Sequence, residues 1–101
     1  MNAADAKALA DNAKAIRKAM IPTFTKLALE SILSNIKEVA LEGKYETYFN
    51  NNSLSAIGID RSVHTQVLNN LKEELEVSYN FIVLMKVDEM AWKKTLEIKW
   101  E

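Results

Sequence analysis

The chain contains no cysteine. Disulfide frameworks, thiol nucleophiles and thiolate metal sites are therefore excluded, and such a chain fits a reducing cytoplasm. Glycine occurs only at Gly43 and Gly58, so no glycine-rich phosphate loop exists. Pro22 is the single proline and His64 the single histidine. One imidazole with no cysteine and no second histidine on its helix is a poor metal site. The longest apolar run, Phe81 to Met85, is five residues, far short of the roughly 20 that span a bilayer. No apolar h-region of a signal peptide stands at the N-terminus, and no membrane association is expected.

What is present describes a small folded protein. Of 101 residues, 49% are apolar and 27% charged, ordinary values for one domain with one modest core. The net charge of −1 is unevenly spread. Residues 1–26 carry five basic and two acidic side chains, a balance of +3, whereas residues 27–101 carry eight and twelve, a balance of −4. A basic arm on an acidic body can dock on a neighbouring copy or on nucleic acid; the alternative is a solvated helix face.

Residues 3–19 are alanine-rich with interspersed Lys and Arg, which predicts a helix capped by Asn2 or Asp5. Its larger apolar residues, Leu9, Ile16 and Met20 with Ala13 between, follow the 4, 3, 4 spacing of a heptad seam. The seam is thin, and such a helix needs a surface to lie on. Pro22 either kinks one long helix or opens a second at its first turn. Residues 23–42 continue the helical period with Leu29, Ile32, Leu33, Ile36, Val39 and Ala40 on one face, and Gly43 marks the stop.

The period then becomes two. In "KYETYFN", Tyr45, Thr47 and Phe49 share one side of a strand. Residues 50–53 read as a turn, and Gly58 makes a regular helix over 54–60 unlikely. Asp60 caps a helix over 61–75 whose buried stripe is Val63, Val67, Leu68, Leu71 and Leu75. From Glu76 the alternation places Val77, Tyr79, Phe81, Val83, Met85 and Val87 on one face, with Ile82 and Leu84 on the other. Residues 88–92 turn the chain, and Trp92, Lys94, Leu96, Ile98 and Trp100 share the next inward face. A helical reading of 81–90 stays open on periodicity alone. The expected fold is α+β: a long N-terminal helix kinked or broken at Pro22, a second helix, and an antiparallel sheet of about three strands. Residues 1–21 form a helical arm and 22–101 the α+β domain.

The succession "LEGKYETYF", "VLNNLKEEL", "EVSYNF" and "LEIKW" resembles a loose group of small bacteriophage and prophage proteins of unassigned function. The likeness covers about Val39 to Trp100. This sequence departs from the group at Glu74-Leu75-Glu76, where a Gly-Tyr turn is common, and in the longer hairpin "FIVLMKVDEMAW". The resemblance implies a phage accessory or virion-associated protein in a bacterial cytoplasm or virion; it brings no catalytic residues.

Little chemistry is offered by single residues. His64 reads as a surface histidine in a first helical turn, and Ser62 beside it lacks the third group of a triad. Glu73-Glu74-Glu76 and Asp88-Glu89 read as solvated acidic faces. No catalytic activity, metal or cofactor is expected. The expected role is an interaction protein that self-associates through Leu9, Ile16 and Met20, with Ile82 and Leu84 either a second apolar patch or covered by the N-terminal helix. A host or virion protein is the expected further partner. One alternative is a small-ligand binder, nucleotide-type, using Trp92, Lys93 and Lys94. Another is a nucleic-acid binder using the basic arm, which the acidic body disfavours.

Overall fold

The computed structural model describes residues 1–90 and 93–101. The arm is a single helix, α1 (Ala3–Ala19), opened by a reciprocal cap. The Asn2 side chain accepts the Asp5 N–H at 2.9 Å, and the Asp5 carboxylate accepts the Asn2 N–H at 3.2 Å. Helix α2 (Ile21–Leu41) follows with Pro22 in its first turn, where a missing N–H costs least. The interruption is confined to Met20, itself right-handed helical at φ −86°, ψ −7°. Its N–H reaches the Ile16 carbonyl at 3.1 Å, and its carbonyl accepts the Phe24 N–H at 2.9 Å. Pro22 thus begins a second helix that continues the first almost end to end. From Ala3 to Leu41, a rise of about 1.5 Å per residue gives a rod of about 57 Å, and the longest dimension of the molecule is 59 Å. The radius of gyration, 16.1 Å, exceeds the roughly 13 Å of a compact chain of this length, because α1 stands clear of the body.

On α2 the buried column is Ile21, Ala28, Ile32 and Ile36, narrower than the expected face. Leu29, Leu33 and Val39 are half-buried and Ala40 is exposed, because the body meets the helix along one line and the last turn overruns it. The small Ala28 lets the neighbouring elements approach. Gly43 ends the helix at φ +85°: the Lys44 N–H reaches back to the Val39 carbonyl at 3.2 Å and the Gly43 N–H to Ala40 at 2.9 Å, the paired bonds of a Schellman stop.

Strand β1 (Glu46–Asn50) turns Phe49 into the core. The expected turn at 50–53 is instead the start of a short helix, α3 (Asn51–Ala56). Asn50 caps it by accepting the Ser53 N–H at 3.1 Å while Ser53 Oγ accepts the Asn50 N–H at 3.3 Å, and the helix buries Leu54. Gly58, at φ +83°, takes the chain out. Asp60 accepts the Ser62 N–H at 2.9 Å and opens a 3-10 turn (Arg61–Val63) that runs into α4 (His64–Val77). Every residue of the expected stripe, Val63, Val67, Leu68, Leu71 and Leu75, is buried.

The helix continues to Val77, which is exposed, as is Tyr79; the alternation from Glu76 was not yet a strand. Asn80 turns the chain at φ 59°, the Phe81 N–H returning to the Leu75 carbonyl at 3.0 Å. Residues 82–88 settle as strand, β2 (Ile82–Asp88), which pairs antiparallel with β3 (Lys93–Lys99). The sheet order is β1-β3-β2, both pairs antiparallel. Its inner face presents Phe49, Val83, Leu96 and Ile98 to α2 and α4, while Val87, expected inward, lies beyond the helices and is exposed. Trp100 follows β3 and is tied in: its N–H donates to the Tyr45 carbonyl at 3.1 Å. Its half-buried ring stands edge-on to Phe81 at 6.2 Å and 74°.

Candidate functional site

A cavity of about 620 Å³ opens between the start of α4 and the far end of the β2–β3 hairpin. His64, Thr65 and Arg61 line it from the α4 side, Asn51 from α3, and Val87, Asp88, Glu89 and Lys94 from the hairpin. His64 is not a surface residue as its position in the sequence suggested: it is 2% exposed. The Ile59 carbonyl, 2.8 Å from Nε2, can only accept, so that nitrogen carries the proton. The Asn51 side-chain amide, 3.3 Å from Nδ1, then donates to the other. Both ring nitrogens are thereby used. Asn51 in turn accepts the Lys94 backbone N–H at 2.6 Å, and the Lys94 ammonium donates to Thr65 Oγ1 at 2.9 Å. One histidine and one asparagine thereby tie α3, α4 and β3 together.

Of the residues expected to contact a ligand, Lys94 lies in this cavity, Lys93 is exposed outside its lining, and Trp92 lies outside the described residues. The lining carries two cations, Arg61 and Lys94, and two carboxylates, Asp88 and Glu89. That mixed charge opposes a multiply charged anion. Among the described residues, no three of His, Asp and Glu are grouped to hold a metal ion, and no helix is long and apolar enough to cross a membrane.

The outer face of the sheet carries a second feature. Glu97, on the central strand, is buried there, opposite Leu84 on one side and Tyr48 on the other. Lys99 Nζ stands 3.1 Å from Oε1, and Lys86 Nζ stands 2.7 Å from Oε2. The latter contact falls outside hydrogen-bond angles, but at that separation the charges attract whatever the angle. Lys86, and then Lys99, hold the Glu97 carboxyl below the usual carboxylate range, while Glu97 raises both lysines. Ile82 and Leu84 flank this triad and are exposed; the N-terminal helix does not cover them.

The third feature is the arm. No residue of α1 is buried. Leu9, Ile16 and Met20 are between 40% and 59% exposed, and so is Leu27 on α2, which continues their spacing by seven from Met20. Among the described residues, an ion pair of Arg17 with Asp60 at 3.8 Å ties the arm to the body. Asp60 is suited to it, since the Ser62 hydroxyl and N–H, and after them Arg17, hold its carboxyl low. Sequence reasoning identified Leu9, Ile16 and Met20 but missed Leu27, although the heptad period reaches it. Comparison with family models, with curated proteins and with solved structures returned no match.

Proposed function

We propose that this chain is a non-enzymatic interaction protein that assembles with copies of itself through the arm. The observation that carries this reading is a 17-residue helix with no buried residue that nonetheless aligns Leu9 and Ile16 with Met20 at its C-cap on one side. A lone helix of this length is marginal in water, and a partner surface supplies what it lacks. The charge division favours a second copy as that surface, since the +3 of residues 1–26 complements the −4 of residues 27–101. The setting of His64 supports a non-catalytic reading: both ring nitrogens are taken up by structural partners, the Ile59 carbonyl and the Asn51 amide. The resemblance to phage proteins adds a host or virion protein as a second partner.

Light scattering tests the assembly. A mass well above 11.4 kDa at micromolar concentration, reduced by Ile16→Lys, is the expected result; a mass of one chain for the unmodified protein rejects the reading.

The cavity favours a second reading, a small-ligand binder. Its two cations, Arg61 and Lys94, and two carboxylates, Asp88 and Glu89, suit a zwitterion such as a free amino acid. A ligand-dependent rise in Tm, abolished by Lys94→Met, is the result that would move the assignment there.

A further inference from the structure

We propose that two copies pair antiparallel along the stripe, Ile16 of each lying on Met20 of the other and Leu9 on Leu27. This inference rests on the self-association proposed above and fixes its geometry. The stripe does not stop at the end of α1. Met20 keeps helical geometry, so the phase of α1 carries into α2, and Leu27 falls on the same line. At about 100° per residue, that line lies roughly 125° around the helix from the column of Ile21, Ala28 and Ile32. The body therefore sits to one side and leaves the stripe open past Met20, as the exposure of Leu27 records.

Two arrangements of such a stripe are available, and charge separates them. In the parallel one, the two acidic segments 27–101, −4 each, lie side by side, and so do two basic arms. In the antiparallel one, each basic arm runs beside the partner's acidic body, where opposite charges attract and like charges are held apart. Size points the same way. Parallel pairing stacks Ala13 on Ala13 and leaves a gap between the Leu9 and Ile16 layers. The antiparallel register sets Ala13 against the larger Thr23, and every large residue of the stripe meets a large one. Alternating a and d positions face each other in this orientation, as knobs-into-holes packing requires.

The absence of native cysteine makes the test clean. Full-length Leu9→Cys and Leu27→Cys variants are prepared separately, one of them tagged, then mixed and oxidised mildly. The expected product is a disulfide between the two variants, with neither cross-linking to itself. In the proposed register each residue is about 27 Å from its own copy, and a disulfide needs Cα atoms within roughly 7 Å. Self-cross-linking of Leu9→Cys shows a parallel pair and overturns the proposal. A dimeric mass without the mixed disulfide overturns it as well, by placing the contact elsewhere. A single-chain mass for the unmodified protein rejects self-association itself, a distinct failure. Because Leu→Cys trims the stripe, a second measurement leaves it intact: a spin label on Lys7→Cys, an outward position. Antiparallel pairing predicts a label-to-label distance of about 35 Å, from 22 residues of rise and one interhelix spacing; a distance under about 20 Å overturns it.

Discussion

Helices α1 and α4 are both amphipathic and similar in length, 17 and 14 residues, yet their apolar sides meet opposite fates. The α4 side, Val67, Leu68, Leu71 and Leu75, is wholly buried within its own chain. The α1 side has no buried residue. The difference lies in side-chain volume and placement. α4 presents four branched residues in two turns and packs against both α2 and the sheet, whereas α1 dilutes its large residues with alanine and extends beyond the body. A heptad spacing shows that a helix has a side to cover, and the width of that side decides whether its own domain can cover it.

Substitutions on the two helices should therefore behave in opposite ways. Leu71→Ala empties part of a fully buried site and is expected to cost about 3–5 kcal/mol, a large share of the stability of a domain this size. A shift in denaturant midpoint at constant m-value is the measurement. Next in size is Trp100→Ala. Its ring is only half-buried, so the expected loss is about 2–3 kcal/mol, less than the 3–5 of a fully enclosed aromatic ring. An unchanged midpoint would mean that the edge-on contact of the ring with Phe81 does not hold in solution.

A smaller effect is expected from pH, and its main seat is the Glu97 triad of the body. The Glu97 carboxyl is held below its ordinary value of 4.5 by Lys86 and Lys99. Its contribution is present above that value and is lost as pH falls through the lower folded-state value. The two lysines, raised above 10.5, contribute below that value and lose their contribution as pH rises through the higher folded-state values. Stability measured across pH should fall below about pH 4.5, and Glu97→Gln should flatten that decline; an identical acid limb in the variant would remove the triad from the account. The smallest effect on fold stability is expected in the arm. Leu9→Ala, or removal of residues 1–19 with Ile21 spared because it belongs to the core, should change the stability of the body by no more than about 0.5 kcal/mol under dilute conditions. The same changes should lower the assembled mass. A truncated chain without helical circular dichroism would erase the contrast between the two helices.

Much of this contrast was legible in the sequence. The α4 stripe, the Gly43 stop, the Asp60 cap and the hairpin all declare themselves locally, through period and turn chemistry. Three features were readable and were missed. Asn50 with Ser53 three residues on is a reciprocal cap, outweighed by the turn character of the run 50–53. His64 stands three, four and seven residues before Val67, Leu68 and Leu71, which places it on the buried side of its helix. Val77 and Tyr79 match a strand period only by coincidence, because the last turn of α4 and the Asn80 turn mimic alternation. Other features were not local at all. The order β1-β3-β2, the burial of Glu97 on the central strand and the cavity between α4 and the hairpin depend on contacts between segments far apart in the chain.

That strand order also sets a schedule. β1 and β2 each pair only with β3, the last of the three to be synthesised. Until residues 93–99 are available, neither earlier strand has its neighbour, and α2 and α4 have no sheet to close against. Domains begin to form as the chain is made, but here the nascent polypeptide holds helices with uncovered apolar sides until its third strand is made. Closure of β1 on β3 then spans about fifty residues in one step, a loop-closure cost that precedes its reward. The body is thus expected to fold late and all at once, while the capped, alanine-rich arm can take up and lose helical structure throughout.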